Sequence, residues 1–154
     1  MRLPNELKYG LSKLSSLGSY PFHLLLIIIL YKIEMPQNAL FLLLGFVLVY
    51  LFGIPLRILL FPKRKRPKYQ EIFLQKYRAS SFPSFHSARI TFLGIFFSHF
   101  FNFETDILVI SGALIVLVSM ARVVNRQHFP SDTIGGIMFG IIVWIISYLI
   151  VGVK

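Results

Sequence analysis

A polytopic bundle of membrane-spanning α-helices is the fold class this sequence predicts, and three observations predict it. Of the 154 residues, 56% are hydrophobic and only 14% charged, a balance too apolar for an ordinary water-soluble domain. The apolar residues gather into runs of about 17 to 25, the length that crosses a bilayer as a helix. Polar and charged residues fall at the junctions between those runs, as in "MARVVNRQHFPSDTIGG" at 120–136. No repeat or soluble module interrupts the pattern, so 1–154 is read as one integral membrane unit.

Taken in order, "MRLPNELKYGLSKLSSLGSY" carries charge but no short apolar core with a small-residue cleavage site. It is read as mature sequence forming an N-terminal interfacial segment, not as a signal peptide. Five spans are expected, at 17–33, 37–61, 84–103, 105–121 and 132–152. The first is short and begins near Pro21; the third opens on polar residues and carries Arg89. In the last, Gly136 and Gly140 stand four apart, which lets another helix approach closely. Packing within the chain is the plain reading of that pair, and association with a second copy is left open. Five spans put the N-terminal tail, the 62–83 loop and the 122–131 loop on one membrane face, where the two polar loops can meet.

The net charge is +10 and there are no cysteines. Disulfides and thiolate metal sites are therefore excluded. A duplex reader needs its basic face on a soluble module, whereas these cations sit beside bilayer-length apolar runs, so nucleic acid is not the expected partner. Anionic lipid or a phosphate-bearing substrate is. The densest cations are Arg57, then Lys63, Arg64, Lys65, Arg66 and Lys68. Such a run ordinarily binds headgroups or sets orientation; the guanidiniums among them also suit bidentate contact with phosphate.

Two short stretches carry the candidate chemistry. In "HFPSD", His128 and Asp132 are four apart across Pro130 and Ser131, where a helix should begin with Ser131 as its cap. A carboxylate so placed either caps the helix or holds one ring nitrogen of the imidazole, leaving the other free to attack. In "SSFPSFHSAR", 80–89, Ser84 reads as another cap with His86 in the first turn. A helix start with unpaired N–H groups favours an anion, and a histidine there can protonate a leaving oxygen. Ser84 as a mere cap and His86 as an interfacial histidine are the plainer alternatives. His23 and His99 lie in apolar segments and are given no catalytic role. With Asp132 and Glu71 the only carboxylates near these stretches, neither a hard divalent ion nor zinc has enough ligands, so no metal and no cofactor are expected. Two histidines, an aspartate and several arginines at two helix starts are instead the inventory for moving a phosphoryl group through a phosphohistidine.

On these residues the sequence resembles the type 2 phosphatidic acid phosphatase family, whose three motifs are K-x6-R-P, P-S-G-H and S-R-x5-H-x3-D. "ARVVNRQHFPSD" matches the third with Arg122, His128 and Asp132; "PSFH" matches the second with Pro83, Ser84 and His86. The likeness covers about 50–150. It implies a metal-independent enzyme with His128 as nucleophile, Asp132 as its orienting partner and His86 as the acid. Arg122 and Ser84 would bind phosphate. Ala121 replaces the serine of the third motif, and Phe85 the glycine of the second. The Phe85 amide can still donate to phosphate, while its large side chain either narrows the phosphate pocket or packs against a lipid tail. For the first motif, Arg57 with Arg64 keeps the seven-residue step, with Lys65 at the proline position; Arg66 with Pro67 keeps "RP" but puts Leu59 where the cation belongs. The first register is preferred, because a phosphate clamp needs two cations more than a proline.

The expected function is a multi-pass phosphatase of the plasma membrane acting on a lipid monophosphate or diphosphate. Phosphatidate, phosphatidylglycerophosphate and polyprenyl diphosphates all fit. A phosphotransferase using the same chemistry, and a non-enzymatic scaffold binding anionic lipid through its basic loop, are the alternatives.

Overall fold

The computed structural model describes residues 4–60 and 80–151. Within them six α-helices follow one another: α1 (Asn5–Ser15), α2 (Tyr20–Lys32), α3 (Pro36–Leu60), α4 (Phe85–Phe100), α5 (Thr105–Val124) and α6 (Pro130–Val151). A 3₁₀ turn, Ser16–Gly18, joins the first two. The chain is an all-α membrane bundle, as its sequence predicts.

Among the described residues the number of spans is smaller than the five expected. Three helices, α3, α5 and α6, are long and apolar enough to cross a bilayer. A fourth span arises only if the segments Tyr9–Gly18 and Tyr20–Lys32, bent by 49° where they meet, cross together. By itself α2 has 13 residues, about 20 Å at 1.5 Å per residue, too short for the hydrocarbon core. The expected 84–103 span is the 16-residue α4, about 24 Å long. It is walled in by its neighbours: Ala88, Phe92, Leu93 and Phe96 are almost fully buried, as are the polar Ser87, Arg89 and Thr91. A helix enclosed by protein can carry polar residues and stop short, because other helices satisfy it in place of lipid.

Around α4 the core is aromatic and aliphatic. Phe41 of α3 stacks on Phe92 and Phe96 of α4, at ring separations of 5.5 and 5.8 Å. Val49, Phe85, Phe139 and Val143 complete the contact between α3, α4 and α6. The outward faces stay apolar, with Leu59, Val109, Leu149 and Ile150 strongly exposed, as a lipid-facing surface requires. Hydrophobicity does not drive helices together in such surroundings, so close packing must. Gly136 and Gly140 supply it by meeting α4, within the chain. A Cβ at Gly136 would lie 2.5 Å from the Ser84 carbonyl oxygen, and one at Gly140 would strike the Ala88 carbonyl. Thus α4 and α6 lie side by side with their N-terminal ends on the same face, which brings the two motif-bearing helix starts together.

Candidate active site

Two helix starts are tied together at that face. The Ser84 N–H donates to the Asp132 carbonyl at 2.9 Å, which fixes the beginning of α4 against the first turn of α6. Ser84 is the N-cap of α4, and its hydroxyl accepts from the Ser87 N–H at 3.4 Å. A hydroxyl chain continues inward, from Ser119 of α5 to Ser87 at 3.1 Å and from Ser87 to Ser84 at 3.2 Å. The Ser84 cap expected from the sequence is present. Ser131 is not the cap of α6, which begins at Pro130. Instead the Asp132 carboxylate reaches back to accept the Phe129 N–H at 2.8 Å, the reciprocal half of a capping box.

The same carboxylate faces His128. Asp132 Oδ2 lies 3.6 Å from His128 Nδ1, and both side chains are almost completely buried. That is ion-pair range, longer than a hydrogen bond. It turns Nδ1 toward the carboxylate and so presents Nε2 as the outward nitrogen. His128 reaches this place because the chain turns sharply at the end of α5. Arg126 adopts a left-handed conformation at φ 55°, and the N–H groups of Gln127 and His128 both donate to the Arg122 carbonyl, at 3.0 and 3.2 Å. This closing turn, with a left-handed residue after the helix, brings the imidazole back beside the arginine six positions earlier.

Three buried or half-buried guanidiniums, of Arg57, Arg89 and Arg122, therefore share this end of the bundle with the Asp132 carboxylate, and the exposed Arg126 lies beside them. Arg122 is half-buried and donates to the Ser15 hydroxyl of α1 at 3.3 Å. Arg57, buried in the last turn of α3, donates to the Pro83 carbonyl through Nε and Nη2, at 3.3 and 3.0 Å. Its plane covers the Phe85 ring at 3.7 Å, an arginine–aromatic contact. The Phe85 ring neither narrows an opening nor meets lipid. It is 4% exposed, edge-on to Tyr50 and filling the space left by Gly53. Arg64 and Arg66, with Lys63, Lys65, Pro67, Lys68 and Glu71, lie outside the described residues.

Sequence reasoning gave Arg89 no role, yet it is buried here, donating to the Gly18 carbonyl at 2.9 Å and to the Tyr50 hydroxyl. The signal was available: a cation inside an apolar helix marks a site or a tether. Through Arg89 the N-terminal segment is drawn onto α4, and a Cβ at Gly18 would lie 2.7 Å from the His86 carbonyl oxygen. His23, in turn, is a core residue whose ring contacts the Leu42 carbonyl and packs beside Phe46 and Phe92. His99 sits at the far end of α4 among Phe103, Trp144 and Tyr148.

His86, in the first turn of α4 and only half-buried, feels all of these charges. Burial, then the guanidiniums of Arg122 and Arg89, the His128 ring and Arg57 push its imidazole down to about 2. Cations gathered around His86, beside N–H groups at two helix starts, favour an anion there. The negative charge of a bound phosphate would offset the cations' share of that shift and raise the His86 pKa toward the range in which it holds a proton. In chemical terms the arrangement offers a buried imidazole oriented by a carboxylate, a second imidazole nearby, and cations to neutralise oxygens.

Comparison with known proteins identifies the family. A family model described as the PAP2 superfamily matches residues 38–154. No curated protein and no solved structure matches the chain. The chain belongs to the PAP2 superfamily, a family of phosphatases, and the type 2 phosphatidic acid phosphatase resemblance of its motifs holds. It is an integral membrane protein with a phosphatase-type function.

Proposed function

We propose that this PAP2-superfamily chain removes phosphate from a lipid monophosphate or diphosphate at the surface of the plasma membrane, through a phosphohistidine on His128. The observation that carries the reading is the gathering of His128, Asp132, His86, Arg122 and Arg57 at two joined helix starts, on the face where an apolar bundle meets water. A lipid keeps its tail among the exposed apolar side chains and offers its phosphate at that level.

In the first step His128 Nε2 attacks phosphorus, and the bond to the lipid oxygen breaks. His86 gives its proton to that oxygen, so the lipid alcohol (or lipid monophosphate, from a diphosphate) leaves neutral at the broken bond. Asp132 stabilises the imidazolium that forms on His128. In the second step water attacks the phosphohistidine, His86 takes the water proton, and inorganic phosphate departs while His128 regains its free ring nitrogen. Arg122 and Arg57, with the Ser84 and Phe85 region of α4, balance the charge on the equatorial oxygens. Arg64 and Arg66 are candidates for further phosphate contacts.

A panel of phosphatidate, phosphatidylglycerophosphate and a polyprenyl diphosphate, assayed with purified protein and no added metal, tests the reading. Free phosphate and dephosphorylated lipid from at least one of them are expected. A phosphorylated acceptor in place of free phosphate would make the chain a phosphotransferase. Tight binding of anionic lipid without turnover of any of the three would make it a scaffold.

A further inference from the structure

Directly beneath His86 the bundle holds an apolar cavity of about 130 Å³. One wall is the face of α4 that begins at His86. Ile90, Leu93, Gly94 and Phe97 line it, at steps of four, seven, eight and eleven residues, which keeps all of them on one side of a helix. At about 1.5 Å per residue the stripe starts about 6 Å below His86 and ends about 16 Å below it. Leu17 and Phe22, on either side of the bend between the 3₁₀ turn and α2, form the second wall. Ser111 and Leu114 of α5 form the third. Leu17, Phe22, Phe97 and Leu114 are half-buried, so the cavity reaches the surface. Apart from the Ser111 hydroxyl its lining offers no polar side chain, so nothing in it can recognise a headgroup. A hydrocarbon chain is the ligand it suits.

The cavity lies one helical turn from the site above, on the face of α4 that carries His86. Its upper rim, Leu17 and Ile90, adjoins Gly18 and Arg89, whose carbonyl–guanidinium bond borders the site. A ligand filling both places must be anionic at one end and hydrocarbon about one helical turn further on. We propose that this cavity receives the start of the hydrocarbon tail of the lipid whose phosphate binds beside His86 and Arg122. The N-terminal segment, which lies outside the 38–154 family match, thereby reads the substrate's tail. This inference rests on the lipid-phosphatase reading and specifies where its substrate lies.

The probe is a phosphatidate with a photoreactive diazirine in the upper part of one acyl chain, in phosphatidylcholine vesicles containing the full chain. Cross-links are expected on peptides bearing Leu17, Phe22 and 90–97. Excess unlabelled phosphatidate should suppress them, and the same amount of neutral diacylglycerol should not. Leu114→Trp and, independently, Ser111→Leu narrow the cavity from α5. Each should lower the ratio of turnover on a long-tailed phosphatidate to turnover on a soluble phosphate ester by about tenfold, the size expected when a pocket loses a few methylene contacts. Cross-links confined to the outward faces of α3, α5 and α6, or suppressed equally by diacylglycerol, would overturn the inference, since the cavity would then take bulk lipid or none. Labelling of the wild-type chain decides this even if both variants misfold. Cavity labelling by phosphatidate in a protein that releases no phosphate from any lipid would support the inference while removing the hydrolytic reading.

Discussion

Replacing His128 by alanine is expected to lower phosphate release by about ten-thousand-fold or more, the effect of removing a covalent nucleophile from a site whose parts act as a unit. The side chain is nearly inaccessible, so little of this loss could be recovered by water entering in its place. Asp132→Asn retains an oxygen able to accept the Phe129 N–H but removes the charge facing His128 Nδ1 at 3.6 Å. It should cost less than loss of the imidazole and more than loss of a cap. Steady-state turnover of a lipid phosphate measures both, with thermal unfolding of the detergent-solubilised variants showing that the bundle remains. Near-normal turnover in folded His128→Ala protein would remove the phosphohistidine mechanism.

The second large effect concerns Arg122. Substitution by alanine should reduce turnover by about a hundred- to a thousand-fold, as expected for removing a preorganised charge from a developing oxyanion. Arg122→Lys should recover only part of that, because an ammonium keeps the charge but not the planar fork that matches two phosphate oxygens. Ser15→Ala separates position from charge. It deletes the hydroxyl that accepts from Arg122 at 3.3 Å but leaves the guanidinium, so its effect should be several-fold at most. A drop as deep as that of Arg122→Ala would instead make the α1 contact a requirement for holding the arginine in place. Initial rates across substrate concentrations for the three variants distinguish these outcomes.

The elements legible in the sequence were those whose physics is local. Pro83-Ser84 and Pro130 announce helix starts, and helices do begin there, at Phe85 and Pro130. Bilayer-length apolar runs gave α3, α5 and α6 within a few residues. The five-span count that put the two motif loops on one face was too high, yet the two helix starts that carry the motifs do meet, through the Ser84–Asp132 backbone bond. What depended on long-range packing was not legible. The expected span at 84–103 rests on length and apolar content, which cannot tell a run buried by other helices from one bathed in lipid; 17–33 is instead interrupted where the chain bends before α2. Arg89 and Gly18 are 71 residues apart, and nothing in their local sequence announces that bond. Phe85 was weighed as an intruder into a phosphate pocket; only the bundle reveals that the Gly53 gap on α3 receives the ring and that Arg57 lies across it.

Trapping the reaction in a single turnover tests the central claim most directly. Purified chain in excess is mixed with a lipid phosphate carrying a radioactive phosphoryl group, quenched in base, and digested. The account predicts a base-stable, acid-labile label on the peptide containing His128, absent from the His128→Asn protein. A label on any other residue, or an equal label in the protein lacking His128, would contradict it.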